Sequence, residues 1–176
     1  GSGSGDANGD TISNWDEEDA PDGAWSDSYK TANDPCPDGF RVPTEAQWEY
    51  AAKGRDIQPY PWGMTPPDQD PDKYCNFLET GEMRTIPVGN YRSGKSFFGA
   101  YDMSGNVAEW VMDWYGEDAY RYHSQRDPMG PLSGELKVIR GGAYRNNAFG
   151  VRATIRYNFH PSTKNSTTGF RCARSN

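Results

Sequence analysis

Few side chains in this sequence could support redox, metal or nucleophilic chemistry, and their spacing narrows the field. Three cysteines, Cys36, Cys75 and Cys172, allow one internal bridge at most. Their spacing matches no zinc motif, and His123 and His160 are too few for a three-histidine iron site. The run Asp16-Glu17-Glu18-Asp19 offers carboxylates a calcium ion would accept, but it leads into the turn signal Ala20-Pro21-Asp22-Gly23 and reads first as solvated surface. Towards the C-terminus, clusters of Asn, Thr, Tyr, Phe and Arg have the chemistry of recognition. Aromatic rings supply contact area at small entropic cost, amides adapt their hydrogen bonds, and Arg pairs or stacks.

Such residues need a scaffold, and the sequence outlines one. Thr44 and Gln47 form a T-x-x-Q capping box, which predicts a helix from Glu45 to Lys53 closed by Gly54 in the left-handed conformation. Trp48, Ala51 and Ala52 fall at i, i+3 and i+4, one apolar face for docking on a sheet. Tyr60-Pro61-Trp62-Gly63 reads as a stiff aromatic turn, and Pro66-Pro67 as exposed loop. After Gly105 the period changes to two: Ala108, Trp110, Met112 and Trp114 alternate with Val107, Glu109, Val111 and Asp113, a strand pattern. Lys137–Arg140 and Gly169–Ala173 are predicted as further short strands, with long loops between them over residues 143 to 168.

A chain of 176 residues suits one domain. With 34% hydrophobic residues, six Trp and eleven Tyr, burial must rely on large aromatics, which favours a loop-rich fold. The 20 Gly and 13 Pro stay below the fraction, roughly 25–30%, that signals low complexity. A net charge of −7 argues against nucleic acid and anionic lipid as partners. No apolar run approaches the roughly 20 residues of a membrane span, so direct membrane insertion is not expected, and no signal-peptide pattern opens the chain. Gly1–Gly5 reads as an engineered linker ahead of one domain over residues 6–176, with the natural N-terminus expected upstream. Trp15, Trp25 and Tyr29 read as scattered anchors in a polar opening segment.

Four segments in order, Arg41–Ala52, Tyr60–Gly63, Tyr101–Trp114 and Arg140–Ala173, resemble the formylglycine-generating-enzyme (sulfatase-modifying-factor) family. The resemblance implies an α+β fold, that family's variant of the C-type-lectin fold. The stretch Asp34–Pro43 is also similar to bacterial surface-protein relatives of the fold. By the same resemblance, calcium would be held by the carboxylates of Asp102 and Glu109 and the backbone carbonyls of Gly105 and Val107, a set of hard oxygens that suits this ion. The alternative is that Asp102 and Glu109 merely hydrogen-bond loop amides. The relatives' second calcium loop, which would start at Asn76-Phe77, is not expected, because its later acidic ligands are shortened. Relatives often bridge cysteines matching Cys36 and Cys172; the alternative is two buried thiols. The family's oxidising cysteine pair, however, falls at Asn146 and Val151, neither of which forms a thiolate or binds copper. Copper and iron are accordingly not expected.

Between the family-pattern residues Arg140, Gly141, Gly142, Arg152, Arg156, Pro161, Gly169, Phe170 and Arg171 lie adaptable positions, most of them reachable from an asparagine codon by changing adenines. This resembles the C-terminal variable region of proteins that retroelements diversify, which use the lectin fold for display. The implied function is non-catalytic recognition of a protein or glycan ligand in an extracellular, cell-surface or virion-surface setting. The expected binding face comprises Tyr144, Arg145, Asn146, Asn147, Ile155, Tyr157, Asn158, Phe159, His160, Thr163, Asn165 and Thr167. A formylglycine-generating-type oxidase and a purely structural surface module are the competing readings.

Overall fold

The computed structural model describes residues 35–121, 128 and 130–174. Trp15, Trp25, Tyr29, the acidic run at 16–19 and His123 lie outside them. The helix α1 spans Glu45–Lys53, and both halves of the capping box form: Gln47 N donates to Thr44 Oγ1 and Thr44 N to Gln47 Oε1, each at 3.2 Å. Gly54 ends it by donating its amide to Tyr50 O, with φ 65° but ψ −138°. The positive φ favours glycine as expected, yet the residue lies outside the left-handed helical well, so that cap is corrected.

Among the described residues six short strands build two sheets. β1 (Phe40–Arg41) pairs antiparallel with β6 (Ala173–Arg174). The larger sheet has the order β4-β3-β2-β5, from β2 (Ala108–Trp114), β3 (Lys137–Arg140), β4 (Arg156–Phe159) and β5 (Thr168–Phe170). β2–β3 and β3–β4 are antiparallel, whereas β2–β5 is parallel. The segment expected as one strand at 169–173 is thus two. Between β5 and β6, Arg171 turns towards Glu109 and Cys172 bonds Cys36, which carries the chain from one sheet to the other.

The period-two stretch is a strand, but both of its faces are buried. One face of β2 meets α1: Val111 packs with Trp48, Ala52, Met103, Val138 and Ala153. The other carries Ala108 and Trp110, clustered with Ile139 and flanked by Tyr157 and Phe170. Two carboxylates on the α1 side do the fastening. Trp48 Nε1 donates to Glu109 Oε2 at 2.6 Å, and Glu45 N to Asp113 Oδ2 at 2.6 Å. Burial pushes the Asp113 carboxyl up, against the downward pull of the Glu45 and Gly130 amides.

Residues 143–168 are not wholly loop, because β4 lies within them. Its sequence, Arg-Tyr-Asn-Phe, has little apolar signal of its own and is a strand because β3 offers it a complete antiparallel register from Lys137↔Phe159 to Arg140↔Arg156.

Candidate functional site

The Arg-Gly-Gly that opens the C-terminal region is a structural hinge. Gly141 and Gly142 have φ of 86° and 65°, and a Cβ on Gly141 would lie 3.1 Å from the Trp48 ring and 3.2 Å from Met103 O. Only glycine lets the chain turn this close beneath the helix. Arg140, fully buried, donates to Glu45 Oε1 (2.5 Å), Glu49 Oε2 (2.6 Å) and Ala153 O (2.7 Å). Arg156 donates to the same Glu45 through Nε and Nη2 and to Gly116 O through Nη1. Burial would raise the Glu49 carboxyl, but the Arg140 charge, the Tyr120 hydroxyl and Lys53 hold it below the ordinary value. These ions lock the root of the loops onto α1.

Above this root the chain makes a compact turn. Ala143 N donates to Asn146 Oδ1, Gly150 N to Asn147 Oδ1, Val151 N to Asn147 O, and Tyr157 Oη to Gly150 O. Leu78 N donates to Asn146 O, and Tyr60 Oη to Ala148 O, so two earlier loops support it. Val151 is fully buried in a cluster with Tyr60, Cys75 and Phe77. Behind Tyr60, Trp62 and then Tyr74 stack at centroid distances of 5.1 and 4.9 Å. Cys75 is a free, buried cysteine whose thiol is pushed up by burial and by the charges of Asp102 and Glu79, so it stays protonated at neutral pH.

The expected face is divided by burial. Arg145, Asn147, Phe159, His160 and Asn165 are exposed, and Asn146, Ile155, Tyr157, Asn158, Thr163 and Thr167 are partly buried. Tyr144 does not belong to an open face: it is 4% exposed, its amide donates to Asn106 O, and its hydroxyl is 3.3 Å from Ser166 Oγ. Tyr157 packs against the second sheet cluster, and Phe159 meets Trp110 edge-on at 6.4 Å. Asn165 Oδ1 accepts from Thr167 N, Thr167 Oγ1 and Thr168 Oγ1, an internal clasp of its loop. The sequence reading omitted Phe149, 57% exposed, with the Arg152 guanidinium 4.4 Å from its ring centroid. The available signal was an apolar ring within an otherwise polar turn.

The expected calcium ligands surround a turn that contains three left-handed residues, Asp102, Gly105 and Asn106. Glu109 Oε2 accepts from Trp48 Nε1 and Arg171 Nε, and Oε1 from Arg171 Nη2 at 2.7 Å. Arg171 Nη2 also donates to Tyr101 O at 3.0 Å. Asp102 Oδ2 accepts the Gly89 amide; burial raises its carboxyl, the amide and Arg171 oppose this, and Glu109 adds to it. Among the described residues no three His, Cys, Asp or Glu side chains group to hold a metal. A carboxylate has about four acceptor sites, and Glu109 already receives three donors. The set therefore fits calcium only in part: Asp102 is a hard, partly buried donor, while Arg171 occupies most of Glu109. Asn106 holds the turn by pairing its amide with Asn76 and with both backbone groups of Ile86.

Short strands, one capped helix and long pinned loops define a C-type-lectin fold of the formylglycine-generating-enzyme type. The chain belongs to the sulfatase-modifying factor family: the model for the sulfatase-modifying factor enzyme 1-like domain matches residues 10–176. It is 41% identical over 140 residues to the serine/threonine-protein kinase pkn1 of Chlamydia caviae, covering 77% of this chain and 21% of that protein. It is 36% identical over 148 residues to the formylglycine-generating enzyme of Streptomyces coelicolor, covering 77% of this chain and 46% of that one. Among solved structures it resembles Treponema denticola variable protein 1, with a TM-score of 0.65 and 34% identity over 77% of this chain and 47% of that one. The chain thus spans less than half the length of these relatives.

Proposed function

We propose that this chain is a non-catalytic display domain whose loops between residues 143 and 168 recognise a protein or glycan on a cell or virion surface. The observation that carries this reading is the pair Asn146 and Val151. Where the family's oxidising cysteines would stand, one side chain closes a turn through its amide oxygen and the other is fully buried apolar packing. The likeness to a variable protein supports the same reading. The Cys36–Cys172 disulfide, with Cα atoms 5.7 Å apart, suits an oxidising compartment. Among the described residues no helix is long and apolar enough to cross a membrane. Calcium at Asp102 and Glu109 belongs to the proposal as a structural clamp on the 102–109 turn.

A library tests the display function. Arg145, Phe149, Phe159 and His160, which are exposed, are randomised on yeast and selected against lysozyme as a fixed target. Most variants are expected to display at the parental level and to yield binders. General loss of display would sink the reading. The kinship with a formylglycine-generating enzyme keeps an oxidase as the alternative. Conversion of a sulfatase-motif peptide cysteine to formylglycine with copper and oxygen, above a no-protein control, would establish it.

A further inference from the structure

We infer that the display face takes an acidic peptide segment of a partner protein, with Arg145 and Arg152 as its carboxylate contacts; this deepens the display reading and rests on it. Charge is sharply segregated along the chain. All 25 Asp and Glu precede Arg140, and every charged side chain from Arg140 onward is basic, in a protein of net charge −7. Three of those cations are consumed internally: Arg140 by Glu45 and Glu49, Arg156 by Glu45, and Arg171 by Glu109.

Arg145 and Arg152 are used differently. They bracket the compact turn, Arg145 exposed with its guanidinium 5.5 Å from the Tyr144 centroid, and Arg152 half-buried over Phe149. Among the described residues neither has a carboxylate within ion-pair distance: Arg145 engages the Tyr144 hydroxyl and Arg152 the Tyr60 hydroxyl. A guanidinium held over a ring and bonded to one hydroxyl keeps its outer N–H groups for a carboxylate. Phe149, 57% exposed, adds apolar contact beside the Arg152 charge. Arginine with aromatic rings is the composition enriched in protein–protein interfaces.

Fluorescence anisotropy with defined probes tests this. A labelled ten-residue Glu-Tyr repeat is compared with its Gln-Tyr counterpart and with a heparin-derived octasaccharide. The Glu-Tyr peptide is expected to bind about tenfold or more tighter than the Gln-Tyr peptide, with the difference shrinking as salt rises. Arg145→Gln should weaken it about tenfold; so should Arg152→Gln, with Arg152→Lys recovering part. Arg92→Gln, an exposed change in another loop, should leave it unaltered, and circular dichroism checks each fold. Equal affinity for both peptides, absence of binding, indifference to the Arg145 and Arg152 changes, or preference for the octasaccharide would each overturn the inference. None of these outcomes touches the display reading, which depends on whether the randomised library folds and yields binders.

Discussion

Arg140 Nη1 donates to Glu45 Oε1 at 2.5 Å, joining the end of β3 to the first turn of α1 across 95 positions of sequence. Both side chains are buried, and Arg156 reaches the same carboxylate from β4. The root of the loops is therefore an ionic knot.

Arg140→Met should accordingly destabilise the fold by about 3–5 kcal/mol, the usual consequence of leaving a buried charge without its partner. Urea denaturation measures it. A loss below about 1 kcal/mol would mean that Arg156 alone supports Glu45.

The Glu49 carboxyl gives the knot a pH dependence. Its folded value lies below 4.5, so its contribution is fully present above that value and is lost as pH falls through the folded value. The difference in stability between wild type and Glu49→Gln is expected to be largest at neutral pH and to shrink progressively below about pH 4.5. A difference that stays constant down to pH 2 would remove Glu49 from the acid response.

Tyr144 and Phe159 should respond oppositely to truncation. Tyr144→Ala opens the interior and is expected to cost about 3–5 kcal/mol, whereas Phe159→Ala should cost no more than about 1–2 kcal/mol. Thermal melts of both variants decide this. Equal losses would show that β4 packs its outer residues as tightly as the turn packs Tyr144.

For calcium, melting should rise with the ion and fall on chelation, by about 2.7 kcal/mol at a hundredfold excess over Kd. Glu109→Gln should abolish the response. If elemental analysis finds no metal and the melt does not move, Arg171 is the sole cation of the 102–109 turn.

What could be read from sequence was local or carried by motif. The capping box is complete within four residues, so Thr44 and Gln47 announced α1 to its observed bounds. The period after Gly105 announced β2 because side-chain alternation needs no partner strand. Burial of both of its faces was not visible there, since it depends on α1 covering one side and on Tyr157 and Phe170, contributed by later strands, covering the other. β4 went unseen for the same reason: Arg-Tyr-Asn-Phe becomes a strand only where β3 supplies its hydrogen bonds.

The candidate face shows the division most clearly. Residue types alone placed recognition chemistry between 143 and 168 and left Asn146 and Val151 unable to do thiol chemistry, because reactivity belongs to the side chain itself. Which of those residues meet solvent was decided only in three dimensions. Tyr144 and Phe159 are both aromatic and both lie in polar surroundings in sequence. The left-handed turn of Gly141-Gly142 and the amide bond to Asn106 O draw Tyr144 inward, while the edge register opposite Lys137 leaves Phe159 outside. Burial is a property of what packs around a residue, and here most of those neighbours are distant in the chain.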